Sequence, residues 1–126
     1  MKAILVAVDY TDILYITLPY NRHHFSDVLV VTCKRNQDEL EPLIKATNSS
    51  LHVTEAFYEG GAVFNKWKAL EEGLDVLGRQ SKWLCIMDAD ILWPKYVPDY
   101  PRVCGNLYTP YRYVMDDVQG LTVQTI

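Results

Sequence analysis

Two aspartates, Asp88 and Asp90, are separated by a single alanine at the end of an apolar run in this 126-residue sequence. In an extended chain, residues two apart point to the same side, so both side chains are expected to face one space. Carboxylate oxygens are the ligands that Mg²⁺ and Mn²⁺ prefer in proteins. Because carboxylates beside an apolar segment are costly without a cation, Asp88-Ala89-Asp90 predicts a divalent metal site that holds phosphate groups. The alternative is an ordinary polar strand exit.

A second candidate segment begins with Asn65 and Lys66, after a Gly-Gly loop. Asn65 is a good helix N-cap, and the free N–H groups at a helix start favour an anion. Lys66 in the first turn opposes the helix dipole, and a residue that breaks a local rule is a candidate for function. We therefore expect Asn65 and Lys66 near a phosphorylated ligand, with a solvated lysine as the alternative interpretation of Lys66.

Strand-like and helix-like segments alternate along the chain and must position these residues. Apolar runs predict four strands, at residues 3–8, 27–32, 51–57 and 83–87. The first is expected to be buried on both faces, the second and fourth are also expected to be buried, and the third is more mixed. Helices are expected over residues 12–18 with Thr11 as cap and Pro19 as terminator, from Asn36 toward Ala46, and from Asn65 to a stop at Gly78. A further β-rich piece lies at residues 106–115.

This order of elements predicts an α/β fold, a mostly parallel sheet with helices on both faces, forming a single domain over residues 1–126. In such a sheet, ligands bind at the carboxyl ends of the strands. Asp9 follows the first strand, and Asp88 with Asp90 follows the fourth. The three carboxylates are therefore expected at one edge of the sheet.

Composition narrows the class of protein. The net charge is −4 with only 12 Lys and Arg residues, which argues against nucleic-acid binding. Three widely spaced cysteines without a Cys-x-x-Cys pair favour free thiols over a zinc site or disulfides. The sequence has no signal-peptide pattern and no apolar run long enough to span a bilayer, so a cytoplasmic protein without a transmembrane segment is expected.

Three segments together resemble the family 2 group of inverting glycosyltransferases, which have the GT-A fold. They are AVDYTDIL at residues 7–14, FNKWKALEEGL at residues 64–74 and WLCIMDADILWP at residues 83–94. The resemblance implies a Rossmann-like GT-A domain that binds a nucleoside-diphosphate sugar, a UDP- or TDP-sugar, with Mn²⁺ or Mg²⁺. The divalent ion would neutralise the charge that develops on the departing diphosphate.

The resemblance also implies roles for individual residues in donor binding. Asp9 and Tyr10 occupy the positions that would contact the nucleobase. Asn65 and Lys66 lie where the family's helix approaches the nucleotide. Asp88 would hold the ribose or a metal-bound water, and Asp90 the metal itself.

Two departures from the family pattern bear on activity. Trp67 replaces the small residue that commonly follows the family's Asn-Lys pair. In the family, an acceptor-binding half carries the carboxylate that deprotonates the attacking hydroxyl. That half is expected to be missing or minimal here, which predicts a truncated GT-A domain. The late acidic pair Asp116-Asp117 offers the remaining candidates for that base, with a surface turn as the alternative.

Three outcomes remain open from the sequence. The first is a glycosyltransferase that acts on an unknown sugar or glycan acceptor. The second is a nucleotide-sugar-binding module that lacks catalysis and self-associates through the surface left bare where an acceptor half would pack. The third is a haloacid-dehalogenase-type phosphatase, which also uses Asp-x-Asp at a strand end, with one carboxylate as nucleophile.

Overall fold

The computed structural model describes residues 1–79, 83–93 and 103–109. The chain divides into two compact units, Met1–Trp93 and Pro94–Ile126, and the single domain over residues 1–126 stays a prediction. In the second unit, the stretch 103–109 contains a turn, and the backbone N–H of Val103 donates to the hydroxyl of Tyr108 at 2.9 Å. Residues 106–109 of the predicted β-rich piece are irregular, and its other residues lie outside the described part.

The first unit contains four parallel strands, which confirms the predicted parallel sheet. They are β1 (Lys2–Val6), β2 (Val28–Thr32), β3 (Ser50–Val53) and β4 (Leu84–Asp88). Their order in the sheet is β3-β2-β1-β4, and every neighbouring pair is parallel. This order is consistent with one half of a Rossmann-like doubly wound sheet.

Three α-helices connect the strands, with two short 3₁₀ segments between them. They are α1 (Thr11–Asn21), α2 (Lys34–Ala46) and α3 (Lys66–Leu77), and the 3₁₀ segments cover Arg22–His24 and Ala56–Gly61. The start of α3 after Asn65 and its end at Gly78 agree with the sequence prediction. No helix in the described part of the chain is long and apolar enough to cross a membrane.

Two helix boundaries differ from the prediction. Pro19 lies inside α1 and does not end it, because the proline removes only the bond to the Tyr15 carbonyl on an exposed turn. Helix α2 begins at Lys34 with Cys33 in the cap position, so the expected capping box at Asn36 does not form. Asn36 is instead buried within the first turn of α2, and its side-chain oxygen accepts the backbone N–H of Asp9.

The third strand is shorter than predicted. It ends at Val53, and the hydroxyl of Thr54 accepts the backbone N–H of Ala56 at 3.0 Å. This side-chain bond turns the chain into the 3₁₀ segment, which contains most of the apolar residues expected at the end of the strand.

Helices cover both faces of the sheet, as predicted. One apolar cluster joins α1 and α2 to one face, and a second joins α3 to the other. Gly73 allows α3 to lie close to the sheet, because a Cβ there would come within 2.6 Å of the Val31 side chain and 2.8 Å of that of Ile4.

Strand β4 is less buried than its apolar sequence indicates. It pairs with β1, and no other strand of the described residues pairs with it. Ile86, on the α3 side of β4, is 47% exposed. The prediction that the fourth strand is buried is therefore wrong for the described residues, whereas β1 and β2 are buried as predicted. An apolar run does not distinguish a strand with neighbours on both sides from one with a single neighbour.

The three cysteines are free thiols, as the sequence suggested. Cys33 is buried, Cys85 is half-buried and Cys104 is exposed. Burial raises the pKa of the Cys85 thiol to about 11, which keeps it protonated and inert at neutral pH.

Candidate functional site

A pocket of about 270 Å³ opens at the carboxyl ends of β1 and β4. Four of the residues that line it were predicted from the sequence: Tyr10, Lys66, Asp88 and Asp90. The other lining residues are apolar, namely Val6, Val8, Phe64 and Ala89. The pocket therefore has an apolar floor, an aromatic wall and a charged wall.

The position of the pocket follows from the strand order. The chain leaves β1 to form β2 on one side, and later returns to form β4 on the other side of β1. Successive connections thus run in opposite directions from β1, which opens a crevice between the ends of β1 and β4. In open α/β sheets, ligands bind at this switch point.

Lys66 and Asp88 form an ion pair in the pocket. Asp88 is the last residue of β4 and pairs in register with Val6, so its side chain lies on the α3 side of the sheet. Lys66 is the first residue of α3, and its ammonium donates to Oδ1 of Asp88. The carboxylate therefore offsets the unfavourable position of a lysine in the first turn of a helix.

Asn65 positions this lysine and does not line the pocket itself. Its Oδ1 accepts the backbone N–H of Lys68 at 3.1 Å, which confirms the predicted N-cap. Its own backbone N–H donates to the carbonyl of Phe57 at 2.6 Å. The first bond caps α3, and the second attaches its start to the preceding 3₁₀ segment.

Asp88 and Asp90 line the same pocket, but the backbone between them differs from the predicted extended conformation. The strand ends at Asp88, and the chain turns at Ala89 and Asp90, with the N–H of Ile91 donating to the carbonyl of Asp88 at 3.2 Å. The extended-chain geometry assumed for Asp90 is therefore wrong. Both carboxylates nevertheless line the pocket, because the turn folds Asp90 back toward it.

Two buried polar residues of α1 hold this turn, and sequence reasoning missed both. The hydroxyl of Thr17 donates to the carbonyl of Ala89 at 2.6 Å, and Nδ2 of Asn21 donates to the carbonyl of Ile91 at 2.7 Å. Oδ1 of Asn21 accepts the backbone N–H of Trp93, also at 2.7 Å. Thr17 and Asn21 lie on the same buried face of α1 as Leu14 and Leu18. Polar residues at such core positions need hydrogen-bond partners, and this was the sequence signal that could have identified them.

Asp9 pairs with Arg35, a partner that the sequence analysis did not foresee. Its φ is +59°, and its carboxylate accepts from both Nε and Nη2 of Arg35, the Nε distance being 2.9 Å. These hydrogen bonds hold the pKa of Asp9 below its ordinary value, and Asp9 raises the pKa of Arg35. The guanidinium also lies 5.6 Å from the centre of the Tyr58 ring. Asp9 is not among the residues that line the pocket, and its contact with a base stays a prediction.

The aromatic wall of the pocket consists of Phe64 and Tyr10. Phe64 stacks on the buried ring of Phe57, with 5.3 Å between ring centres and 7° between ring planes. Phe64 nevertheless remains 47% exposed, and Tyr10 is 49% exposed. Open aromatic faces beside charged groups suit a ligand with both a planar ring and phosphates.

Two residues with carboxylates line the pocket, Asp88 and Asp90, and their oxygens would be hard ligands for a divalent ion. No group of three His, Cys, Asp or Glu side chains within residues 1–79, 83–93 and 103–109 is arranged to hold a metal by itself. Mg²⁺ is commonly bound by one or two carboxylates together with substrate phosphates and waters, so two carboxylates suffice when a diphosphate is present. The candidates for a general base, Asp116 and Asp117, lie outside the described residues.

Comparisons of this chain with protein-family models, with curated proteins and with solved structures find no match. The resemblance to family 2 glycosyltransferases therefore depends on the three sequence segments alone. A function for the chain has to be argued from the site.

Proposed function

We propose that this chain binds a nucleoside-diphosphate sugar through a divalent ion at Asp88 and Asp90, and acts as a glycosyltransferase. The observation that carries the proposal is the convergence of Lys66, Asp88 and Asp90 on one pocket at the switch point of the sheet. Two carboxylates and an ammonium are the groups that would bind a metal–diphosphate complex.

Each wall of the pocket matches a part of such a donor. Asp88 and Asp90 would hold Mn²⁺ or Mg²⁺, and Lys66 would contact a diphosphate oxygen. The exposed rings of Tyr10 and Phe64 suit a nucleobase, which stacks on aromatic side chains. Val6 and Val8 are apolar residues of the same lining, against which the uncharged part of a donor would pack.

The chemistry assigned to these groups is stabilisation of the leaving group. When the bond between the sugar and the diphosphate breaks, negative charge grows on the diphosphate oxygens. A divalent ion supplies neutralising charge at that point, and the ammonium of Lys66 adds a second positive group. The proposal names no acceptor. Asp116 and Asp117 stay the candidates for the general base, and they lie outside the described residues.

Donor turnover tests this proposal. The chain is incubated with UDP- and TDP-sugars and simple sugar acceptors, with Mn²⁺ or with EDTA, and release of the nucleoside diphosphate is measured. We expect release that requires the metal and is lost in Asp90→Asn, whereas p-nitrophenyl phosphate, a phosphatase substrate, is not hydrolysed. Metal-dependent binding without release would identify a binding module, and hydrolysis of the aryl phosphate would favour a phosphatase.

A further inference from the structure

Lys66 binds one oxygen of Asp88, a carboxylate that the proposed function assigns to the divalent ion. The ammonium donates to Oδ1 of Asp88, and both side chains are about two-fifths exposed, at 40% and 41%. A metal ion that coordinates Oδ1 competes with the ammonium, since both are cations that bind the same oxygen. The ammonium therefore opposes binding of the ion to Asp88 through this oxygen.

We propose that Lys66 is the counter-ion of Asp88 in the ligand-free chain and passes to the diphosphate when a nucleotide binds, so that metal binding depends on nucleotide binding. This inference rests on the proposed function, which supplies the diphosphate and the ion. The two residues exchange binding partners. Asp88 would bind the ammonium of Lys66 without nucleotide and the metal ion with it, and Lys66 would bind the Asp88 carboxylate without nucleotide and a phosphate oxygen with it.

The exposure of the pair makes the exchange feasible. Ion pairs between half-exposed side chains are weak, because water solvates both groups and ordering two side chains costs entropy. Lysine is a flexible point charge on a four-carbon stem, which lets its ammonium move by several ångströms while the backbone stays fixed. The N-cap at Asn65 holds that backbone in place.

Linkage gives the exchange a measurable consequence. If the diphosphate draws Lys66 from Asp88, the nucleotide strengthens metal binding, and the metal strengthens nucleotide binding by the same factor. Part of that factor comes from removing the lysine from Asp88. A variant without the ammonium should therefore bind the metal more tightly on its own, and should gain less from the nucleotide.

The chain offers a matched control for this change. Lys68 lies in the same turn of α3, has the same charge, and its ammonium pairs with Glu59 at 2.8 Å. Lys68→Met removes an identical charge from the same helix without removing the partner of Asp88. Lys66→Arg keeps a cation beside Asp88 and serves as the conservative variant.

The experiment is titration of Mn²⁺ into the chain, with and without UDP, following the free ion by electron paramagnetic resonance and subtracting the Mn²⁺ that the same UDP concentration binds without protein. Without UDP, Lys66→Met is expected to bind Mn²⁺ about fivefold more tightly than the wild type, the factor expected when a half-exposed ion pair is lost. Lys68→Met and Lys66→Arg are expected to stay within about twofold of the wild type, since each keeps a cation on Asp88. With UDP, the advantage of Lys66→Met should disappear.

Two results would overturn the inference. One is equal Mn²⁺ affinity of Lys66→Met and the wild type without nucleotide, while UDP strengthens Mn²⁺ binding in both. The other is an equal gain in Lys68→Met, which would indicate a general charge effect. Failure of the proposed function looks different, because UDP would then leave Mn²⁺ binding unchanged in the wild type itself.

Discussion

Replacing Thr17 by valine tests whether α1 positions the turn at residues 88–90. The Thr17 hydroxyl, 3% exposed, donates to the carbonyl of Ala89 at 2.6 Å. Leaving a buried carbonyl without this bond costs about 1–3 kcal/mol. The additional methyl group of valine returns up to about 0.8 kcal/mol through apolar burial. We therefore expect Thr17→Val to lower the free energy of unfolding by up to about 2 kcal/mol once the methyl contribution is subtracted, measured by urea denaturation.

The same substitution should weaken ligand binding, because the Asp88–Asp90 turn can then move to hydrate the Ala89 carbonyl. A shift of 1 kcal/mol away from the binding arrangement lowers the apparent affinity for UDP with Mn²⁺ about fivefold. Thr47→Val is the control, since Thr47 donates to the Leu43 carbonyl at 2.8 Å at the end of α2 and does not line the pocket. If Thr17→Val lost stability while its UDP affinity, measured by calorimetry, matched that of the wild type, the assigned positioning role would be wrong.

Two further predictions concern the aromatic wall and Asp9. Phe64→Leu is expected to weaken uridine binding about tenfold in calorimetric titrations, since stacking of a base on an aromatic ring contributes about 1–3 kcal/mol. Trp67 is exposed and does not line the pocket, so Trp67→Leu should leave uridine binding unchanged. Because the pKa of Asp9 is lowered by Arg35 from its ordinary 3.8, the unfolded chain binds more protons below that pH, and stability should fall as the pH drops from 3.8 through the folded-state pKa. Asp9→Asn should lack this part of the acid dependence in urea denaturation, and an unchanged pH profile would contradict the pairing.

The sequence predicted those features of the fold that depend on neighbouring residues. Continuous apolar runs indicated the strands, and Asn65 and Gly78 marked the ends of α3. Local patterns failed where one distant contact decides the structure. Asn36 looked like a helix cap, but it is buried in the first turn of α2 because Asp9, 27 residues away, binds its side chain.

The candidate site was predicted in part, for a similar reason. Tyr10, Lys66, Asp88 and Asp90 meet at one pocket because strand ends and helix starts of an α/β sheet converge there. The partners of these residues were not predictable, since the ion pair of Lys66 with Asp88 and the bond from Thr17 to the 88–90 turn join residues 22 and 72 positions apart. No periodicity along the chain encodes such pairs.

The most direct test of the proposed metal–diphosphate site is calorimetric titration of UDP into the chain, in Mn²⁺ and in EDTA. We expect binding at least tenfold tighter in Mn²⁺, corresponding to about 1.4 kcal/mol from the ion at Asp88 and Asp90. Asp90→Asn should bind UDP equally in both buffers, whereas Asp38→Asn, at an exposed carboxylate of α2 outside the pocket lining, should retain the full metal effect. Equal affinity of the wild type for UDP in Mn²⁺ and in EDTA would contradict the proposed site.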